Sequence, residues 1–291
     1  MFALAVAGIG LAVIGGASLE QLRRRAHLVG EIRFAATLQD VRSVIVMHRE
    51  LAQDLPRSRP WWRVRGWRHG GPAWTRDWRG IARWPLTRFV RVLLLAVVAG
   101  ITAGAAWKGS GAFVIVAGVA VFVMGIDAVE GLAQETDHPK LSLQYPVPWS
   151  ELSLAHLVTP AVFLTLFGVV TAAVTVLVAG TTAVLPVAAI ELVPIAIAGA
   201  VGAALSVMIG APPPTLFLDV GFPEFTTLWL IIRQVIGPVV AMTGFMPMLF
   251  AMNAHDQRNA IAGPALVGAL VPAFVVVTAG TWFRSRKAVH Q

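Results

Sequence analysis

Apolar positions in this chain run in long uninterrupted blocks parted by short polar joints. A helix crossing the hydrocarbon of a bilayer needs about 20 mostly apolar residues. The blocks that meet this length are Phe2–Leu19, Val90–Trp107, Gly111–Gly131, Ser153–Ala179, Thr182–Ile209, Phe225–Phe250 and Ile261–Phe283. Residues 157–190 carry no charge and are too many for one span, and Gly180-Thr181-Thr182 with Pro186 marks the break. The two-residue alternation of strands is missing from these blocks, which argues against a barrel. The pattern predicts an all-α polytopic membrane protein with about seven transmembrane helices.

The polar joints are unequal. Residues 20–88 hold fifteen Arg and six acids. Cytoplasmic loops gather Arg and Lys, so this region is expected to face the cytosol. Segments 132–152, 210–224 and the tail with Arg284, Arg286 and Lys287 then face inward. The outward segments 108–110, 180–181 and 251–260 contain only Lys108 and Arg258 as basic residues. The expected orientation is N-terminus outside and C-terminus cytoplasmic. The chain divides into an N-terminal span (1–19), a cytoplasmic amphipathic and interfacial region (20–88), a six-helix membrane core (89–283) and a cytoplasmic tail (284–291). The first block lacks a basic leader and runs directly into Arg23–Arg25, which favours an uncleaved span over a signal peptide.

Within the polar region, residues 26–55 follow the spacing of an amphipathic helix through Leu28, Ile32, Ala35, Leu38, Ile45 and Leu51. Pro56 and Pro60 end it. Its face either packs on the rest of the chain or meets a cytosolic partner, with Arg42 and Glu50 as candidate contacts. Residues 57–91 hold ten Arg and six Trp. Arginine beside tryptophan can neutralise phosphates and stack on bases, but this run leads straight into a span, so no nucleic acid is expected. Trp74, Trp78, Ile81 and Trp84 line one side of a helix, with Arg76, Asp77, Arg79 and Arg83 mostly on the others. Such a helix lies in the headgroup zone with its apolar side down. Trp74, Trp78, Trp84, Arg88 and Arg91 are therefore the expected lipid interface, and membrane lipids the expected partner.

Composition narrows the class. Hydrophobic residues make up 57% and charged residues 13%, against about 25% charged in soluble domains. A soluble protein and a disordered one are both excluded. There is no cysteine, which removes disulfides, thiolate metal sites and cysteine nucleophiles. Twenty Arg against three Lys, with abundant Ala, Val and Gly, suits a GC-rich bacterial genome and a bacterial cytoplasmic membrane.

Asp127, Glu130, Glu135, Asp137 and His138 fall within twelve residues at the end of a span. Oxygen clusters attract hard cations and His suits zinc, but the spacing fits no metal motif. The remaining readings are a solvated helix end, a surface that docks a cytosolic partner, or a membrane enzyme using Glu135, Asp137 and His138. Glu191 and Arg233 lie inside apolar blocks, where ionisable groups face the bundle, pair with each other or line a transport path. Gly100 and Gly104 make a small-x-x-x-small pair suited to close helix contact. No G-x-x-x-x-G-K-[ST] phosphate loop occurs, so ATP hydrolysis is not expected in this chain, and neither is a cofactor of its own.

The order of these elements resembles the membrane subunit of ABC-2 type transporters. There, an interfacial connecting helix precedes a six-span core, a coupling helix sits in its first cytoplasmic loop, and short re-entrant helices precede its last span. The matching stretches are Trp74–Arg88, Leu132–Pro148 and roughly Gly244–Gly263. The run Glu130-Gly-Leu-Ala-Gln-Glu135-Thr-Asp137-His138-Pro139 is also similar to a motif of actinobacterial ABC permease-like proteins. The resemblance covers residues 60–291 and implies a permease working with a separate ABC ATPase that binds ATP and Mg, and with a second permease chain. It implies Glu130, Glu135, Asp137 and His138, then Arg42 and Glu50, as ATPase-coupling residues. A scaffold without transport activity is the alternative.

Overall fold

The fold is described from a computed structural model over residues 58–64, 71–137, 147–209, 223–253 and 261–285. The expected first span, the amphipathic helix 26–55, and Arg42, Glu50 and His138 lie outside these residues. The regular structure among them is helical throughout. A short helix α1 (Gly71–Ile81) precedes α2 (Leu86–Trp107), α3 (Phe113–Ala128), α4 (Glu130–Asp137) and α5 (Trp149–Ala179). A 3-10 turn leads into α6 (Leu185–Ile209), followed by α7 (Pro223–Met242), a second 3-10 turn, α8 (Met246–Asn253) and α9 (Ala262–Ser285).

Among the described residues, five helical stretches are long and apolar enough to cross a membrane. They are α2, α5, the turn Thr182–Val184 with α6, the stretch Ile232–Asn253, and α9. A sixth is formed if α3 and the start of α4 count as one span, bent by 61° at Val129. These six answer to the blocks from Val90 onward. The break after α5 falls at Gly180, whose left-handed φ of 68° closes the helix, and its N–H caps Val176 O. Of the stretch expected as re-entrant, Met246–Asn253 continues the span through the 3-10 turn Thr243–Phe245, and residues 254–260 lie outside the described residues. Among the described residues, four helices carry an interior proline, at Pro160, Pro194, Pro238 and Pro272. In a bundle, neighbouring helices satisfy the carbonyls such residues free.

In lipid, tight contact rather than water exclusion holds helices together. α2 and α5 show how the sequence achieves it. A Cβ on Gly100 would lie 2.6 Å from Thr171 O, and one on Gly104 2.7 Å from Val178 Cβ. Only glycine admits this approach. Thr171 Oγ1 then donates to Ala96 O at 3.1 Å and Thr175 Oγ1 to Gly100 O at 3.3 Å. α6 is the central helix, packed on α3, α5, α7 and α9. Leu94, Leu166, Leu177, Leu270 and Phe274 stay exposed, as side chains facing hydrocarbon do.

α5 has 31 residues, roughly 46 Å at about 1.5 Å per residue. The hydrocarbon core is about 30 Å thick. With its C-terminus fixed at Gly180, the first turns of α5 extend past the hydrocarbon. At that level α1 and α4 pack against it.

Candidate functional site

Pro85, extended at ψ 154°, separates α1 from α2 and turns the chain. Trp84, just before it, is buried and meets Phe163 edge-on at 5.2 Å and Phe89 at 5.5 Å. The Arg88 guanidinium lies 4.2 Å over the Trp84 ring. These contacts bring the start of α2 against the end of α3, where the acids are.

Arg88 Nη2 donates to Asp127 O and to Glu130 Oε2, both at 2.8 Å. Arg91 grips the Asp127 carboxylate with two nitrogens, one bond being Nε to Oδ2 at 2.9 Å. A forked guanidinium on a carboxylate is the strongest of the ordinary ion-pair geometries. Arg76 of α1 pairs with Glu135 of α4, whose side chain is 2% exposed. Gln134 Nε2 donates to Glu130 Oε1 at 3.4 Å. Together, α1 and α2 supply the cations and α3 and α4 the anions.

A second link joins α1 to α5. His156 Nδ1 lies 2.9 Å from each oxygen of Asp77, and both residues are buried. Burial raises the Asp77 carboxyl above its ordinary value, against the pull of His156 and Arg76. The other ring nitrogen, Nε2, is buried with no hydrogen-bond partner among the described residues. A nucleophilic relay would place a hydroxyl there. Gly131 makes room for the pair: a Cβ on it would collide with Asp77 Oδ1 and lie 3.4 Å from His156 Nδ1. A cavity of about 40 Å³, bordered by Arg76, Asp77, Trp84, Glu130, Gly131 and Gln134, opens alongside.

The sequence-predicted residues are distributed as follows. Glu130 and Glu135 enter this polar cluster and are held by Arg88 and Arg76. Asp137 is the last residue of α4. Trp84 and Arg88, expected among headgroups, turn into the protein; Trp74 and Trp78 are half-buried and in contact with each other at 5.6 Å. Arg91 pairs with Asp127 while remaining half exposed. Among the described residues no group of three His, Asp or Glu is arranged to hold a metal ion. Glu191 and Arg233 do not pair with each other. Glu191 Oε1 accepts from Met248 N at 2.8 Å, and Arg233 donates to Ile209 O. Glu191 thus caps the buried N-terminus of α8, where Pro247 has no N–H to offer and Met248 does.

Sequence reasoning missed Asp77, His156 and Gly131. The helical wheel of α1 puts Asp77 on the side of Arg76 and Arg79, which reads as water-facing. One signal was available: His156 interrupts an otherwise apolar block, so a buried partner was needed somewhere. The chain matches no family model, no curated protein and no solved structure.

Proposed function

We propose that the chain is the membrane-spanning subunit of an ATP-driven transporter of the ABC-2 type, with seven spans, an external N-terminus and a cytoplasmic C-terminus. A separate ATPase subunit holds ATP and Mg, and a second permease chain completes the pathway. One observation carries this reading. The helix ahead of the first core span is bonded to both α4 and α5 through Arg76–Glu135 and Asp77–His156. A push delivered to α4 therefore displaces α1 and the ends of α3 and α5 together, which is the mechanical task of a coupling element.

In this role the acids divide. Glu135, buried on Arg76, is an internal strut. Glu130, partly exposed, and the exposed Gln134 form the outer side of α4 and meet the ATPase. Asp137, His138, Arg42 and Glu50 are the further ATPase contacts of this reading. Glu191 and Arg233 belong to the span interior, and Glu191 affects the transport path by holding α8. Charged contacts at such an interface set register more than affinity.

Purification of the full chain from its native membrane in mild detergent tests the reading. An ATPase subunit is expected to co-purify, and a Gln134→Cys variant to form a cross-link with it. Absence of any associated ATPase, with the chain itself intact, overturns the proposal.

A further inference from the structure

The arginines near the start of α2 fall into two sets. Arg76, Arg88 and Arg91 are bonded to acids of α3 and α4. The guanidinium groups of Arg59, Arg63, Arg79 and Arg83 are exposed and make no hydrogen bond or ion pair among the described residues. The acids Asp77, Asp127, Glu130 and Glu135 at this end of the bundle are already engaged by the first set and by His156.

The exposed set is gathered by backbone. Trp61 N donates to Ala82 O at 2.8 Å, and Trp61 Nε1 donates to Trp84 O at 2.8 Å. Residues 59–63 consequently run beside 82–84, next to Arg83, with Arg79 one turn earlier. Trp61 and Trp62 are 44% and 40% exposed, and both rings contact Phe89, at 6.5 Å and 6.2 Å. Below them on α2, Leu86, Val90 and Leu94 are also exposed, which marks a lipid-facing stripe. Two indoles therefore stand near the start of that stripe, with exposed guanidinium groups beside them. Indole rings prefer this boundary, and unpaired cations there attract anionic headgroups.

We propose that Arg59, Arg63, Arg79 and Arg83, with Trp61 and Trp62, form a docking surface for anionic phospholipid. The guanidinium groups meet the headgroup phosphates, and the indoles insert beside the upper acyl carbons. This surface lies outside the polar cluster and does not depend on the transport reading. Each arginine near an anionic surface is expected to favour it by about fivefold. The contacts weaken with salt, because the groups are exposed and therefore screened.

The test uses the full chain in phosphatidylcholine vesicles containing either brominated phosphatidylglycerol or brominated phosphatidylcholine as a minor lipid. Bromine quenches nearby tryptophan, and a Trp61→Phe/Trp62→Phe variant isolates the share of these two rings. Stronger quenching by the brominated phosphatidylglycerol is expected, falling as salt rises. Replacing the four arginines with Gln abolishes the preference, and replacing them with Lys keeps it, provided both variants melt as the parent does. If a replacement fails to fold, the salt series on the parent chain decides. Equal quenching by both brominated lipids at low salt overturns the proposal. So does a preference that survives in the folded Gln variant, or one that inorganic phosphate removes at matched ionic strength, which would make this a free-anion site.

Discussion

Asp77 and His156 show how two polar residues settle where a helix lies. Neither could be buried alone, since an unpaired buried charge costs several kcal/mol. Paired, they hold α1 on α5. Removing one partner, as in His156→Ala, is expected to cost about 3 kcal/mol and to free α1, read as a lowered melting temperature and faster proteolysis after Arg76. The pH dependence has a definite sign. Burial raises the Asp77 carboxyl above 3.8, its value in an unfolded chain. The folded state then holds that proton more tightly than the unfolded state. This contribution is full below 3.8 and is lost as pH rises through the raised value. His156 and Arg76 face the carboxyl and reduce the effect without reversing it. Melting temperature followed across acidic pH should show the loss, and Asp77→Asn should flatten it. Gly131 offers a sharper contrast. Gly131→Ala places a methyl on the Asp77 carboxylate and is expected to cost about 1–3 kcal/mol. Gly80→Ala, where nothing lies within 4 Å, is expected to gain up to about 1 kcal/mol through helix propensity. Thermal unfolding in detergent of the two variants, side by side, checks the difference in sign.

The elements were legible to different degrees. Long apolar blocks give spans directly, because lipid forces every backbone group to be satisfied within the helix. The break at Gly180 was therefore readable, and Gly100 with Gly104 pointed to a face of α2 in close helix contact, which meets α5. The side of α1 that is buried was not readable. Its tryptophans outweigh Asp77 in any amphipathic reading, and the partner that reverses Asp77 sits far along the chain. The same limit applies to Glu191. Glu191 and Arg233 both interrupt apolar blocks, which left a pair between them as one option, whereas Glu191 meets the N–H of Met248 at the start of α8. An acceptor at a helix N-terminus is favourable, and losing it leaves a buried donor unsatisfied at about 1–3 kcal/mol. Glu191→Gln keeps an acceptor oxygen and should preserve the fold, while Glu191→Leu should destabilise it by that amount. Hydrogen exchange at residues 246–253 reports which occurs. Loss of exchange protection in the Gln variant would assign Glu191 a role that needs its charge.

In the whole molecule, the polar chemistry among the described residues is concentrated at one end of the bundle. Arg76, Asp77, Arg88, Arg91, Asp127, Glu130, Glu135 and His156 all meet there, while Gly-, Ala- and Val-rich seams hold the spans. Sequence alone located the acids of α3 and α4 at this end, since they cluster in the chain. It did not locate their partners, because α1 reaches across 59 residues to Glu135 and 79 to His156. That separation has a consequence for biosynthesis. A ribosome releases α1 well before the segments that will receive it, so the helix must wait at the bilayer surface while α2 and α3 insert and α4 and the beginning of α5 emerge. Nascent chains halted ahead of His156 should leave α1 open to protease, and chains released beyond α5 should shield it. The order of translation thereby makes the docking of α1 a late seal, closed only after the spans it fastens have arrived.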